Sequence, residues 1–553
     1  MMMCRILFIL TLLFTCIAHA GDNKNPYAIA SAHKLATQAG EKILQAGGNA
    51  FDAAVAMSAA LAVVEPFGSG IGGGGFWLLH DAANNTDVVI DGREVAPLDA
   101  TKDMYLDKEG RLTGKSINGP LAAGIPGVVA ALEHMTQHYG RLTLADNLQP
   151  AINYAKEGFT PGDHYKKLAS LRQQALLASA AASNIFLDKG NVPTHEFIVR
   201  QTDLANTLET IAIHGAKGFY QGEVAEKMVQ GVQAAGGIWR LEDLAGYTIK
   251  KRTPIKTDYH GIEIIMPPPP TSGGVVITQI LAMLEQVSIL DLNHAESIHT
   301  VVEAMRRAYQ DRAIYLGDPA YTDLPLNKLL NKQYAQDKFA SFSQAHASTS
   351  ESLAKSLESK GEDTTHFSVL DSEGNYVAAT LSINYPFGSG FVAPGTGVLL
   401  NDEMDDFSMS GGVANIWGLV GSDANAIEPG KRMLSSMTPL FARDEERTLI
   451  VGTPGGSRII SMLALALINY QQGANANKIV SQRRIHHQYL PDEIQFEINA
   501  LSENEKTTLA NKGHQLKEMS RTYGNMHAII WNHASNKVEA ASDPRGEGMA
   551  KVQ

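Results

Sequence analysis

The sequence predicts a layered α/β protein, with helices packed over sheets, built either as two domains or as one large interlocked unit. Three observations carry that prediction. The chain is 553 residues long, enough to bury a large core. Its first part is rich in helix-period patterns and its last part, after residue 364, in strand patterns, with a helical run at 457–470 between them. The composition, 44% hydrophobic and 19% charged, is that of an ordinary globular protein. A formal net charge of −12 argues against nucleic acid or an anionic membrane surface as the main partner. A small anionic substrate would need its own local cations.

Taken in order, residues 1–20 read as a secretory signal peptide. Arg5 supplies the positive region, ILFILTLLFTCI the apolar one, and Ala18-His19-Ala20 a small-x-small cleavage site. The apolar run is shorter than the ~18 residues a membrane span needs. Both cysteines, Cys4 and Cys16, fall in this segment, so a mature chain holds no thiol nucleophile, disulfide or thiolate metal site. The expected product is soluble and exported, to a periplasm or beyond. HKLATQAGEKILQAGG then predicts a helix ending at a glycine pair. DAAVAMSAALAVVEP predicts a buried small-residue helix begun by Asp52 and stopped before Pro66. GSGIGGGGFWLL and TDVVIDGREVAP read as a glycine turn followed by strands. Residues 128–158, 204–235 and 296–315 read as amphipathic helices, and MPPPPTSGG (266–274) as a stiff extended loop. HFSVLD, YVAATLSIN, TLIVGTP and HAIIW are strands.

Two tempting motifs fail on context. Gly70 to Gly75 matches a dinucleotide fingerprint, with Asp91 about twenty residues on. A helix precedes it and a strand follows, the reverse of what that site needs. Close approach of two backbones is the better use of these glycines. The adjacent His486 and His487 point to opposite faces of a strand, and neither they nor His294 and His299 have a metal-site spacing. No metal and no cofactor is expected.

The hairpin HFSVLD-SEGN-YVAATLSIN says more. It reverses about Ser372 to Gly374 and brings Thr364 opposite residues 382 and 383, with Thr380, Ser382 and Asn384 on one face. Directly before it lies the polar run 345–363. A threonine hydroxyl is a poor nucleophile until its own α-amine is free. That amine has a pKa near ~8 and can take the hydroxyl proton. Cleavage between Asp363 and Thr364 would free it, and a soft linker lets the released end leave. Ser382 would then orient the hydroxyl. PGGSR opens the helix SRIISMLALAL, where the N–H groups of Gly455 and Gly456 could form an oxyanion hole or the glycines could simply make the strand-to-helix turn. LNDEMDDFS gathers Asp402, Glu403, Asp405 and Asp406, able to bind a metal, cap a helix or grip an ammonium. KRMLSSMTP sets Ser435 and Ser436 in reach of an anion.

These strings together resemble the γ-glutamyltransferases (γ-glutamyltranspeptidases, glutathione hydrolases), N-terminal nucleophile hydrolases. GGNAFDAAVAMSAALAVVEP, GIGGGGF, DGREVAP, MPPPPTSGG, AYQDRAIYLGDP, TTHFSV, NDEMDDFS, GLVGSDANA, LSSMTP, GTPGGSRII and ASDPR occur in the family's order across nearly the whole mature chain. The resemblance implies a four-layer αββα sandwich formed jointly by two autoprocessed subunits, 21–363 and 364–553. It implies Thr364 as nucleophile, Ser382 as its hydroxyl partner, and Gly455 and Gly456 as oxyanion-hole glycines. Arg93 with Ser435 and Ser436 would clamp the donor's α-carboxylate, and Asn384, Glu403 and Asp406 would hold its α-ammonium. Trp417 falls where many bacterial members carry a lid tyrosine. The implied partners are glutathione and other γ-glutamyl donors, with water, an amino acid or a dipeptide as acceptor. Two other readings compete: a glutaryl-cephalosporin-type acylase of the same fold, and a non-catalytic periplasmic γ-glutamyl-binding protein.

Overall fold

The computed structural model describes residues 25–194, 196–287, 292–350, 364–408 and 421–553. The expected signal peptide, Asp363 and Trp417 lie outside the described residues.

Strand alternation builds two sheets that stack face to face. The first runs, neighbour to neighbour, Met549–Val552, Ala28–Ser31, Thr365–Leu370, Tyr376–Ser382, Gly74–Asp81, Thr86–Asp91, Lys250–Arg252. The second runs Lys537–Ser542, His527–Asn532, Arg447–Gly452, Leu440–Arg443, Ile262–Met266, Ile255–Tyr259. Every pairing in both is antiparallel. Successive residues of the first sheet feed opposite cores, as a two-residue period demands. Trp77, Leu79, Phe367 and Val369 pack under one helical layer. Phe76, Leu78 and Ala378 face the second sheet and join Ile264, Leu449 and Ile450. Helices Gly273–Leu284, Ala295–Tyr315 and Arg458–Gln471 bury apolar faces in that second core. The layers are therefore helix, sheet, sheet, helix.

Each sheet takes strands from both sides of residue 364, so the interlocked alternative is the one realised and not two separate domains. The helix expected to start at Asp52 is Ala50–Val64, capped by Asn49 with Asp52 completing a capping box. All fifteen of its residues are buried, which its alanines allow. The expected linker 345–363 is held at its near end: Ala347 N–H donates to the Lys512 carbonyl, and Ser350 N–H to Asp492 at 2.7 Å.

The Gly70–Gly75 run has the role expected of it. A Cβ on Gly72 would lie 2.1 Å from the Leu399 carbonyl oxygen, and one on Gly73 2.2 Å from that of Ser382. Both distances are far inside contact, so only glycine lets this turn close against its neighbours.

Candidate active site

The hairpin register sets the first two residues of the site. Thr365 pairs with Leu381, so one step on, Thr364 falls across from Ser382. Both are buried. After Ser382 the chain turns sharply through Asn384, whose φ is +70°. Its N–H donates to Ser382 Oγ at 2.7 Å, and its side-chain amide donates to the Asp402 carbonyl at 3.1 Å. Glu403 lies next in this chain of contacts, its carboxyl buried and meeting Arg93. One cavity is lined by Thr364, Ser382, Asn384, Arg93, Glu403 and Asp406, together with Ser435, Ser436 and Gly456. Gly455 lies at the neighbouring, larger cavity, which Thr364 also lines. Gly455 and Gly456 have φ of +137° and +54°, immediately before the helix Arg458–Gln471.

The acidic run splits into two functions. Glu403–Asp406 is a turn of 3₁₀-helix. Asp402 accepts from the Tyr385 N–H and Asp405 from the Ser116 hydroxyl, so these two brace the loop. Glu403 and Asp406 instead receive Arg93, at 2.6 Å and 2.5 Å. Arg93 is fully buried, and its Nε donates to the Met433 carbonyl at 3.2 Å. Its third acidic neighbour, Glu94, is 3.4 Å away. Burial is the largest influence on the carboxyls of Glu403 and Glu94. It pushes Glu403 up to about 7 against the pull of Arg93. It pushes Glu94 well above the carboxylate range, with Glu403 beside it adding to the effect.

The serine pair is held by residues whose role the sequence alone did not suggest. The loop after Met266 lies alongside it: Ser272 N–H donates to the Ser435 carbonyl, Ser435 N–H to the Pro270 carbonyl, and Thr271 Oγ1 to the Met437 carbonyl. Helix Ala295–Tyr315 backs the same region. Its Tyr309 hydroxyl donates to the Ser457 carbonyl, and its Arg312 donates to Ser272 Oγ at 3.0 Å and Ser436 Oγ at 3.2 Å. The signal was present in MPPPPTSGG and AYQDRAIYLGDP. Tyr309 and Arg312 stand three apart, on one helical face.

Of the four histidines set aside earlier, His294 is exposed and the other three are hydrogen-bonded in the core. His486 meets Ser461 and Gln488, and His487 meets Asp492. His299 lies beside Glu303 and His514, three groups whose ligating atoms fall within 4.8 Å of one another. Glu303 is already paired with Arg306 and Arg307, and His299 Nδ1 is 2.7 Å from His514 Nε2. Two guanidiniums at that spot oppose a cation.

An αββα sandwich with its polar cavity at the head of a central strand is the architecture of the N-terminal nucleophile hydrolases. The family profile described as Gamma-glutamyltranspeptidase matches residues 36–553, and the chain belongs to that family. It is 40% identical over 534 residues to a glutathione hydrolase proenzyme of Pseudomonas aeruginosa, covering 95% of this chain and 94% of the relative. It is 39% identical over 525 residues to the glutathione hydrolase proenzyme of Escherichia coli, covering 94% and 90%. Its fold superposes on a cephalosporin acylase from Bacillus halodurans with a TM-score of 0.85 at 26% identity, covering 96% of each chain.

Proposed function

We propose that this protein is an autoprocessed γ-glutamyltransferase with glutathione hydrolase activity. The observation that carries the reading is the cavity in which Thr364 shares walls with a carboxylate pair and a hydroxyl pair. A γ-linked glutamyl group presents an ammonium and a carboxylate on one carbon, and such a cavity offers partners to both. Cleavage between Asp363 and Thr364 yields subunits 21–363 and 364–553, and the interleaved sheets keep them together. The freed α-amine of Thr364 takes its hydroxyl proton as Oγ attacks the γ-carbonyl. Ser382 Oγ accepts from the Asn384 N–H, which leaves its own hydrogen to donate to Thr364 Oγ and orient it as its proton departs to the amine. The N–H groups of Gly455 and Gly456 meet the oxyanion. The amine leaves, cysteinylglycine in the case of glutathione, and a γ-glutamyl-threonine ester remains. Water, an amino acid or a dipeptide then accepts the glutamyl group.

Glu403, Asp406 and Asn384 serve the α-ammonium; Arg93, Ser435 and Ser436 serve the α-carboxylate; Trp417 serves as lid. An acylase acting on glutaryl amides would leave Glu403 and Asp406 without an ammonium partner, which favours the glutamyl reading. Export to the periplasm follows from the leader at residues 1–20. Among the described residues no helix is long and apolar enough to cross a membrane.

Intact mass and amino-terminal sequencing of wild type beside Thr364→Ala test the proposal. Two fragments in wild type, the smaller starting at Thr364 and active on γ-glutamyl-p-nitroanilide, with an uncut inactive variant, are expected. A single uncut chain in both removes the nucleophile and leaves the binding-protein reading in its place.

A further inference from the structure

Arg312 is a buried cation that the reaction as described does not use. Its guanidinium donates Nε to Ser272 Oγ and Nη2 to Ser436 Oγ. Among the described residues no carboxylate lies within ion-pair distance of it, whereas Arg93 has three. A buried, unpaired guanidinium is costly, and burial pulls this one down to about 10. Proteins keep such a group where an anion comes to meet it.

The hydrogen bonds show how that anion would be met. A serine hydroxyl carries one hydrogen and two lone pairs. Ser436 Oγ accepts from Arg312, and Ser435 Oγ accepts from the Met437 N–H at 3.0 Å. With N–H donors seated on their oxygens, both hydroxyls are left to donate their own hydrogens, and both residues line the Thr364 cavity. Ser272 completes the brace by accepting from Arg312 and donating to the Ser435 carbonyl at 2.8 Å. Arg93, the other cation assigned to the α-carboxylate, has its charge offset by Glu403 and Asp406.

We propose that Arg312 is the positioning residue for recognition of the donor's α-carboxylate, acting through the Ser436 hydroxyl and supplying the positive charge at that end of the cavity. This rests on the γ-glutamyl reading above. It makes Arg312, on a helix of the 21–363 segment, a determinant of specificity for a serine pair on the other segment.

The test compares three p-nitroanilides: γ-glutamyl, glutaryl (carboxylate without ammonium) and 4-aminobutyryl (ammonium without carboxylate). Arg312→Gln should lower kcat/KM for the first two by roughly 10- to 100-fold, the range lost with a charge-assisted hydrogen bond. It should act mainly through KM and leave the 4-aminobutyryl rate within about 2-fold. A merely structural defect lowers all three alike, and an unchanged ratio between γ-glutamyl and 4-aminobutyryl donors overturns the proposal. Should Arg312→Gln fail to mature, a cycle of Arg312→Lys with Ser436→Ala decides. The lysine effect on the ratio should vanish once Ser436 is absent, and an equal effect in both backgrounds refutes action through Ser436. Wild type without turnover of any γ-glutamyl amide would sink the proposed function itself. Wild type active with the ratio unmoved sinks only the role of Arg312.

Discussion

Gly73→Ala, placed against Gly68→Ala, probes how tightly the fold sets the catalytic hairpin. A Cβ on Gly73 would sit 2.2 Å from the Ser382 carbonyl oxygen and 2.7 Å from Ile383 Cγ2, where ordinary contact begins at 3.4 Å. Relief needs a shift of roughly 1 Å between the strand Gly74–Asp81 and the end of Tyr376–Ser382, which carries Ser382 and leads into Asn384. Catalytic groups tolerate only about 0.5 Å, and a displacement of ~1 Å typically costs on the order of 10²-fold in rate. Gly68 lies as close to the reaction centre, but its Cβ would meet the Thr364 carbonyl oxygen at 3.4 Å, an ordinary contact. The expected outcome is a kcat lower by about 10²-fold in Gly73→Ala and within about 3-fold of wild type in Gly68→Ala. Both variants are assayed with γ-glutamyl-p-nitroanilide, with mass spectrometry reporting cleavage separately. Full activity in Gly73→Ala would refute the claim that backbone contact at this glycine sets the position of Ser382.

Glu403 makes the site pH-dependent in a predictable direction. Because its carboxyl is pushed up to about 7, falling pH protonates it and removes a partner of the donor's ammonium. KM for γ-glutamyl-p-nitroanilide should therefore rise as pH drops through about 7. Glu403→Gln should flatten that limb, and glutaryl-p-nitroanilide should not show it. The same shift sets a stability trend. A carboxyl raised in the fold contributes stability below its unfolded value and loses it as pH rises through the folded one. Urea midpoints of Glu403→Gln should therefore gain on wild type between pH 5 and 8. Arg484 and Asp543 form an ion pair at 2.6 Å with both side chains fully buried. Asp543→Ala should cost about 3–5 kcal/mol by leaving Arg484 uncompensated. Lys102→Ala, which breaks an exposed pair with Asp423, should leave the urea midpoint unchanged.

What the sequence disclosed, and what it withheld, follows from the range of the forces involved. Strands, helices and the hairpin are local. Alternation and turn residues place Thr364 across from Ser382, and the Thr365–Leu381 register bears that out. The glycine run was legible as a close approach, but its partner carbonyls, Leu399 and Ser382, come from far along the chain. Asn49 was missed as the cap of Ala50–Val64 because Asp52, three residues on, carries the other half of the same capping box. The acidic run could not be divided by spacing. Asp402 and Asp405 differ from Glu403 and Asp406 only in which distant group each reaches. Arg312 sits in a string the sequence singled out, AYQDRAIYLGDP, but its role was not legible there, because an arginine on an amphipathic helix reads as solvated until its distant partners, Ser272 and Ser436, are found in space.

The charges then account for why a zwitterion suits the cavity. Two acidic groups, Glu403 and Asp406, face one guanidinium, Arg93, and with Glu403 pushed up to about 7 that end carries an excess of negative charge once pH rises through about 7. Glu94 adds little to it, since burial and Glu403 favour its neutral form. Beside the serine pair stands Arg312, one positive charge without a paired carboxylate among the described residues. Each end is costly alone, because an unmatched buried charge is poorly solvated. A ligand with an ammonium and a carboxylate on a single carbon neutralises both ends at once, and a ligand with either alone neutralises one. Discrimination against simple acyl amides thus follows from a deficit built into the fold at two points, and removing either deficit should relax it for the matching half of the donor.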